Sequence, residues 1–212
     1  MKLTKFQHAC FTLEKDGAVL VADPGDFTHD FIVPRHVDGI VITHEHGDHL
    51  SESLIQAILK ENPKAIIIAH ESIVGRFTTF STIAAKPGES HVVGAFSLRF
   101  FGGEHAQIAP SVPAPANLSV LVDDRLYYPG DSFTVPGGVT VKELALPAAA
   151  PWMKISESMA FLKDVAPVFV FPTHDEILSA DGKALADRML GGVAAGLGAT
   201  YRRIDGQSVE LS

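Results

Sequence analysis

The 212-residue sequence contains a single cysteine, Cys10, so it has neither an intrachain disulfide nor a thiolate metal cluster. It also has no run of Lys or Arg, and its formal net charge is −8. Because a nucleic-acid-binding protein normally carries a basic patch, we do not expect a long nucleic acid as a partner. A small anionic molecule is still compatible with this charge, since a bound metal ion can supply local positive charge.

The sequence also lacks long apolar runs. No segment approaches the length of about 20 residues that a membrane span requires, so no membrane partner is expected. The opening MKLTKFQHACF lacks the apolar centre of a signal peptide, which favours a cytoplasmic protein. Hydrophobic residues make up 46% of the chain and charged residues 20%, as in ordinary globular proteins. With no low-complexity linker to divide them, residues 1–212 are expected to form one domain.

The order of apolar patterns predicts the class of fold. Residues 10–23 read as a β-hairpin with Asp16-Gly17 at its turn, and residues 51–62 have the apolar spacing of a helix. The middle third predicts strands, interrupted by a loop at the Pro-rich residues 108–116. The last third alternates strands and helices and ends in a terminal pair of strands. This order indicates an α+β protein with two helix-covered sheets, although periodicity alone does not exclude a doubly wound sheet.

The segment HEHGDH, residues 44–49, holds three histidines and two acids directly after a strand-like apolar run. His44 and His46 are two residues apart, so on an extended chain both imidazoles point the same way and can reach one ion. Asp48 and His49 follow a turn and precede a helix, so they can face a second ion. Imidazole nitrogen and carboxylate oxygen are the ligands of borderline divalent metals, and the segment therefore predicts a metal site.

A short turn cannot fill two coordination spheres, so distant residues must complete them. Three candidates close strand-like segments and open into loops, where functional sites are usually built. The candidate ligands are His44, His46 and His105 for one ion, Asp48, His49 and His174 for the other, and Asp131 as the bridge. This nitrogen-rich set favours two Zn²⁺ ions, with Mn²⁺ or Fe as alternatives.

The segment THEHGDH matches the HxHxDH motif of the metallo-β-lactamase superfamily, and the later candidates follow in the order of that superfamily's ligands. The stretches FQHACFTLEKDGAVLVADP, YYPGDS, PWM and FPTHD more specifically resemble a branch of small metal-dependent hydrolases that includes the ascorbate-6-phosphate lactonases. The resemblance covers almost the whole chain. It implies the αββα four-layer sandwich of this superfamily, folded as a single compact domain.

The resemblance also implies a reaction. Position 46 is His, whereas the flavodiiron redox branch typically carries Glu there, so hydrolysis is favoured. Position 131 is Asp, where several true β-lactamases carry Cys, which speaks against antibiotic degradation. We therefore expect a metal-bridging hydroxide, oriented by Asp48, to cleave a small ester, lactone or phosphoester. The substrate is expected to be a small and anionic molecule.

Several alternatives stay open at this point. The chain could be a phosphodiesterase or nuclease acting on short nucleotides, although its acidic balance argues against RNA. It could also be a metal-binding protein that kept the fold and lost catalysis, but none of the seven candidate ligands is missing. The oligomeric state is open as well, and a homo-oligomer that completes the pocket with a partner subunit is compatible with a small fold.

Other polar residues near these segments receive separate predictions. His8 has the setting of an ordinary core or surface histidine, but the resemblance places it near the site as a substrate contact or proton donor. Asp23 is either a turn cap or, as the resemblance favours, an acceptor that fixes the tautomer of a ligand histidine. Trp152 is predicted to be a lid, a packing residue or a pocket wall. The residues predicted to be non-ligands are His29, His36, His70, His91, Glu45 and Glu104.

Overall fold

The computed structural model describes residues 1–29 and 31–211, and this part of the chain forms fourteen strands and four helices. The strands are, in chain order, β1 (Lys2–Lys5), β2 (Phe11–Lys15), β3 (Ala18–Ala22), β4 (Val37–Val41), β5 (Ile66–Ala69), β6 (Thr82–Ala84), β7 (Ser90–Val93), β8 (Phe96–Gly102), β9 (Leu118–Val122), β10 (Leu126–Tyr128), β11 (Glu143–Pro147), β12 (Phe169–Thr173), β13 (Thr200–Tyr201) and β14 (Gln207–Glu210). The helices are α1 (Glu52–Glu61), α2 (Glu71–Val74), α3 (Ile155–Val165) and α4 (Ala180–Gly196).

The strands form two seven-stranded mixed sheets within the described residues. The first has the order β14-β1-β2-β3-β4-β5-β6, and the second has the order β13-β12-β11-β10-β9-β8-β7. Strands β3 to β6 of the first sheet are parallel, as are β10 to β13 of the second. Parallel strands end at the same edge of a sheet, so the loops after β3, β4, β10, β11 and β12 can meet there.

Three apolar clusters separate four layers of secondary structure. The central cluster joins the two sheets through side chains such as Phe11 and Phe171. A second cluster packs Ile58 of α1 against the outer face of the first sheet, and a third packs Phe161 of α3 and Leu190 of α4 against the second. This arrangement of helix, sheet, sheet and helix confirms the predicted αββα sandwich.

Two local predictions are confirmed by the backbone. Asp16 and Gly17 join β2 to β3 with φ values of 52° and 82°. Positive φ at both central residues is the requirement of a type I′ hairpin turn, which Asp-Gly favours. The Pro-rich residues 108–116 form a loop.

The structure departs from the sequence predictions at one strand that was not predicted and at one predicted pairing. β6 (Thr82–Ala84) has no clear sequence signal, because it is a three-residue edge strand with mostly exposed side chains. The two terminal strands predicted as a pair lie in different sheets, since β13 pairs with β12 and β14 pairs with β1. Arg203, between these strands, makes ion pairs with Asp187 and Asp205 that hold the crossing segment.

Candidate metal centre

Loops from both sheets converge on one edge of the sandwich. The motif at residues 44–49 follows β4, Asp131 follows β10, and His174 follows β12. Their ligand atoms form two groups of four, and within each group these atoms lie within 4.8 Å of one another. The first group is His44, His46, His105 and Asp131, and the second is His8, Asp48, His49 and His174.

Asp131 lies between the two groups. Its Oδ2 is 3.2 Å from Nε2 of His105 in the first group and 2.9 Å from Nε2 of His174 in the second. Its Oδ1 is 3.1 Å from Nε2 of His49, also in the second group. One carboxylate therefore faces both sets of histidines, the position expected of a bridging ligand.

Hydrogen bonds to backbone carbonyls orient two of the candidate ligands. The Nδ1–H of His105 donates to the carbonyl of Ala106 at 2.5 Å, and that of His174 donates to the carbonyl of Ala149 at 2.7 Å. A carbonyl oxygen can only accept, so the ring proton resides on Nδ1 in both residues. In its neutral form each ring could then bind a metal ion through Nε2.

Asp23 orients two further histidines. It accepts a hydrogen bond from His49 directly, and it orients His44 through the hydroxyl of Thr43. Its carboxylate accepts from Nδ1–H of His49 at 2.7 Å and from the hydroxyl of Thr43 at 2.6 Å. The same hydroxyl oxygen lies 3.0 Å from Nδ1 of His44 and accepts its proton, because its own hydrogen points to Asp23. The carboxylate also accepts from the backbone N–H of Thr43 at 2.8 Å and from the hydroxyl of Tyr128 at 2.6 Å. With Nδ1 of both rings fixed by this buried network, Nε2 of His49 has no hydrogen-bond partner among the described residues, and Nε2 of His44 lies 3.1 Å from Nδ1 of His46.

The orphaned polar atoms of the site test whether divalent metal ions fit it. Among the described residues, three buried side-chain atoms of the two groups lack a hydrogen-bond partner: Nε2 of His49, Nε2 of His105 and Oδ1 of Asp131. Two of these atoms, Nε2 of His49 and Oδ1 of Asp131, lie 3.1 Å apart. Buried polar atoms are rarely left unsatisfied, and a cation is the partner that nitrogen and carboxylate lone pairs share. The residues therefore fit two divalent ions.

The electrostatics of the site also favour cations. Burial opposes a charge on Asp131, but His49 and His174 hold the pKa of this carboxyl well below its usual range. Burial likewise opposes protonation of His174, but Asp131 raises the pKa of this imidazole to about 9. The buried carboxylate thus attracts positive charge, and a metal ion would compete with protons for the same histidines.

Three residues of the site have a left-handed backbone conformation, which residues other than glycine seldom adopt. They are His8 with φ 54°, Asp23 with φ 41° and His174 with φ 58°. Such conformations cost on the order of 1–3 kcal/mol each and persist where the surroundings impose them. Here the carbonyl of His8 accepts from the backbone N–H of His174 at 3.1 Å and from Nζ of the buried Lys5 at 2.8 Å. Of the eight described residues other than glycine that have positive φ, these three lie where the candidate ligands meet.

His8 is fully buried and points into the second group. Its Nδ1 accepts from the backbone N–H of Glu176 at 3.3 Å, so the ring proton lies on Nε2, which donates to Oδ2 of Asp48 at 3.0 Å. Burial lowers the pKa of His8 to about 4, which keeps the ring neutral near pH 7. His8 was predicted to contact the substrate, but it is not exposed in the described structure. Its role as a proton donor stays a prediction.

Gly25 is a functional position that sequence reasoning missed. A Cβ at this residue would lie 1.8 Å from the carbonyl oxygen of Asp48 and 2.5 Å from the backbone nitrogen of His49. The neighbouring backbone is tied to the motif as well, because Ser51 N–H donates to the carbonyl of Pro24 at 2.9 Å. A Pro-Gly pair after a strand signals only a turn, so this contact could not be inferred without the fold.

The support of Asp131 was missed too. Its backbone N–H donates to Oδ1 of Asn117 at 3.0 Å, and Asn117 donates in turn to the carbonyl of Pro129 at 2.9 Å. Gly130 precedes Asp131 with φ 61°, and a Cβ there would lie 2.4 Å from Oδ1 of Asn117. The sequence PGD gives a turn signal, but nothing in it identifies Asn117 as the partner.

The predicted non-ligands lie outside the two groups of described residues. Glu45 and Glu104 are exposed, as expected for residues that alternate with ligands. His70 caps α2 by accepting from the backbone N–H of Ser72 at 3.3 Å. The histidines that belong to neither group are His29, His36, His70 and His91.

An αββα sandwich with His and Asp groups at one edge defines the class of the protein, the metallo-β-lactamase superfamily. Comparison with known families agrees with this geometry. Residues 2–174 match the sequence model of the family described as "Beta-lactamase superfamily domain". The chain belongs to this family, whose match includes all seven candidate ligands.

Individual relatives are consistent with the family. Protein Rv0786c of Mycobacterium tuberculosis is 37% identical over 190 residues, which cover 87% of this chain and 89% of the relative. The UPF0173 metal-dependent hydrolase MJ1163 of Methanocaldococcus jannaschii is 24% identical over 189 residues, covering 81% of this chain and 83% of the relative. The structure of Igni18, described as a metallo hydrolase from Ignicoccus hospitalis, covers 100% of this chain and 99% of its own with a TM-score of 0.76. At 21% identity, that structure shows the shared fold alone.

The comparisons and the structure also bear on the expected lactonase branch and on the expected absence of a membrane span. The relatives named above do not carry a lactonase name, so the resemblance to ascorbate-6-phosphate lactonases stays a prediction. In residues 1–29 and 31–211, no helix combines the length and apolar character needed to cross a bilayer.

Proposed function

We propose that this protein is a dinuclear metal-dependent hydrolase that cleaves a small ester, lactone or phosphoester. The observation that carries the proposal is the orientation of four histidines, whose Nδ1 atoms are hydrogen-bonded to fixed partners. Their Nε2 atoms all face the carboxylate of Asp131, at distances between 2.9 and 3.9 Å. A site that only stabilised the fold would have little reason to bring two groups together around one shared carboxylate.

The residues that would hold the ions follow from the two groups. His44, His46 and His105 would bind one ion, Asp48, His49 and His174 would bind the other, and Asp131 would contact both. When bound, two such ions lower the pKa of water and stabilise negative charge on carbonyl or phosphoryl oxygens. Zn²⁺ suits this nitrogen-rich set, and Mn²⁺ or Fe is compatible with it.

Asp48 is the carboxylate that an incoming substrate meets. Its side chain is 21% exposed, compared with 2% for Asp131. The Nε2–H of His8 holds Oδ2 of Asp48, so the carboxylate is presented in one orientation. We propose that Asp48 orients the attacking water and that His8 keeps Asp48 in place, while the proton for the leaving group would come from bound water.

The space beside the site suits a small substrate. An open concavity of about 910 Å³ is lined by residues 102–106 and 132–134 and reaches His105. The overall charge of −8 would repel an anion, so the ions themselves would have to attract an anionic substrate. The concavity has room for a small molecule beside His105.

A substrate screen tests the proposed activity. The zinc-loaded and manganese-loaded protein would be assayed with bis-p-nitrophenyl phosphate, a panel of lactones and a panel of p-nitrophenyl esters. We expect turnover of an ester or lactone that is lost when the metal is removed by a chelator and restored when it is returned. Phosphodiester turnover alone would instead indicate a phosphodiesterase acting on short nucleotides. A protein that holds two ions and hydrolyses nothing in the panel would contradict a hydrolytic role.

The His44→Ala variant should lose metal and activity together. His44 is fully buried, and its Nε2 lies 3.1 Å from Nδ1 of His46, so both rings face one point. The loss of activity should exceed the 10–100-fold that removal of a ligand's hydrogen-bond partner typically costs. Glu45→Ala is the matched control, because Glu45 is exposed within the same motif and should keep metal and activity. Equal metal content in the two variants would exclude His44 as a ligand.

At a metal concentration that saturates both sites, the His8→Ala variant should keep both ions and lose activity by about 10–100-fold, since Asp48 would lose its orienting partner. His36→Ala is the control, because His36 is another left-handed histidine, with φ 61°, but is exposed and lies outside the site. Metal content and turnover of the best panel substrate would be measured for both variants. Full activity of His8→Ala would show that His8 has no catalytic or positioning role.

A further inference from the structure

Trp152 is the only tryptophan of the sequence, and it lies in the loop between β11 and α3. Its side chain is buried, and its indole Nε1–H donates a hydrogen bond of 2.7 Å to Oδ2 of Asp131. An indole nitrogen can only donate and a carboxylate oxygen can only accept, so the direction of this bond is fixed. The packing role predicted from the sequence does not include this contact.

The indole ring is held by aromatic contacts that reach both groups of candidate ligands. Its centroid lies 5.1 Å from that of Phe133, which supports the ring from its neighbouring loop. It also lies 6.0 Å from the ring of His105 in the first group and 6.2 Å from that of His174 in the second. Trp152 thus touches one histidine of each group as well as the carboxylate between them.

The hydrogen bond leaves the carboxylate free to bind metal. A carboxylate offers about four lone-pair positions, and the indole N–H takes one of them on Oδ2. Nε2 of His105 and Nε2 of His174 approach the same oxygen at 3.2 and 2.9 Å. Oδ1 has no hydrogen-bond partner among the described residues. A rotation of the carboxylate that turned either oxygen away from its histidines would break the bond to Trp152.

We propose that Trp152 is a positioning residue that fixes the rotation of the Asp131 carboxylate and thereby allows this one side chain to serve both ions. The proposal rests on the proposed two-ion site. A hydrogen-bond partner of a metal ligand typically contributes 10–100-fold to metal affinity, and an indole held by packing provides such a partner without a charge of its own. A phenyl ring in its place would fill most of the same space without the N–H.

The wild-type protein offers a direct test of the contact. Because the sole tryptophan is bonded to Asp131, the arrival of a cation at this carboxylate changes the electric field at the indole. Intrinsic fluorescence should therefore change as Zn²⁺ is added and should level off when Asp131 has bound its ions. Binding of two ions per chain without any change in emission would overturn the proposed contact.

Substitutions test the positioning role itself. In Trp152→Phe, Zn²⁺ affinity, measured by competition with a chelator, should fall by about 10–100-fold for at least one ion. Phe133→Leu removes one aromatic neighbour of the indole but keeps the N–H and the contacts to His105 and His174, so its metal affinity should fall less than that of Trp152→Phe. Equal losses in the two variants would reduce Trp152 to a packing residue, and wild-type affinity in Trp152→Phe would overturn the proposal. Circular dichroism would verify folding, and the fluorescence titration remains decisive if Trp152→Phe does not fold.

The same measurements separate this proposal from the proposed function. A wild-type chain that binds fewer than two ions would contradict the two-ion site and the role of Trp152 with it. A wild-type chain that binds two ions, together with a Trp152→Phe variant of equal affinity, would contradict only the role of Trp152. Metal affinity is measured here without any substrate, so neither result depends on finding one.

Discussion

Replacement of Asp131 by alanine should abolish the binding of both ions and reduce hydrolysis to background. This carboxylate faces Nε2 of His105 and Nε2 of His49, which belong to different groups. Without it, five imidazoles and the carboxylate of Asp48 would have to hold two dications without the negative charge that lies between the two groups, which Coulomb repulsion disfavours. Metal content after extensive dialysis and turnover of the best panel substrate would measure the effect.

Two further variants test whether the effect of Asp131→Ala comes from the lost charge at this position. Asp131→Asn keeps the shape and one carbonyl oxygen but removes the charge, so we expect weaker metal binding than in the wild type and stronger binding than in Asp131→Ala. Asp124→Ala removes a carboxylate that is 67% exposed and paired with Arg99, and it should leave metal content unchanged. Retention of two ions by Asp131→Ala would rule out the bridging role.

The Gly25→Ala variant should damage the second group without altering any candidate ligand. The new methyl would lie 1.8 Å from the carbonyl oxygen of Asp48, which belongs to backbone and cannot move as a side chain would. The Asp48–His49 segment must therefore shift, and overpacking of this kind costs about 1–3 kcal/mol of unfolding free energy, or more. We expect lower stability in denaturant together with loss of the ion held by Asp48, His49 and His174.

The control for this steric effect is Gly137→Ala. No described atom lies within 4 Å of a Cβ built at Gly137, so the substitution should change neither stability nor metal content. Denaturant unfolding of the chelator-treated proteins would separate the steric cost from the stabilisation that bound metal provides. A Gly25→Ala variant with unchanged stability and two bound ions would show that the close approach does not constrain the site.

The candidate ligands could be predicted because their signals are local. His44 and His46 are separated by two residues, and His174 closes a clear strand, so spacing and strand ends bring them into consideration. The four-layer fold could not be derived from periodicity in the same way. The central strands are buried on both faces, as the side chains of β3 (Ala18–Ala22) and β11 (Glu143–Pro147) show. Continuous apolar runs of this kind also fit a doubly wound sheet, so the motif resemblance was needed to choose.

The supporting residues could not be predicted, because their roles depend on tertiary contacts. Tyr128 reads as an ordinary strand residue, yet its hydroxyl bonds Asp23, which is 105 positions away. Gly25 reads as part of a turn, yet its missing side chain makes room for the backbone of Asp48. Trp152 reads as packing, yet its N–H reaches Asp131. Hydrogen bonds and close approaches between distant segments leave no periodic pattern in the sequence.

The most direct measurement of the two-ion site is a crystal structure of the zinc-loaded protein with anomalous data at the zinc edge. We expect two anomalous peaks per chain, one beside His44, His46 and His105 and the other beside Asp48, His49 and His174. The carboxylate of Asp131 should contact both peaks. A single peak, or peaks outside these two groups, would contradict the dinuclear centre.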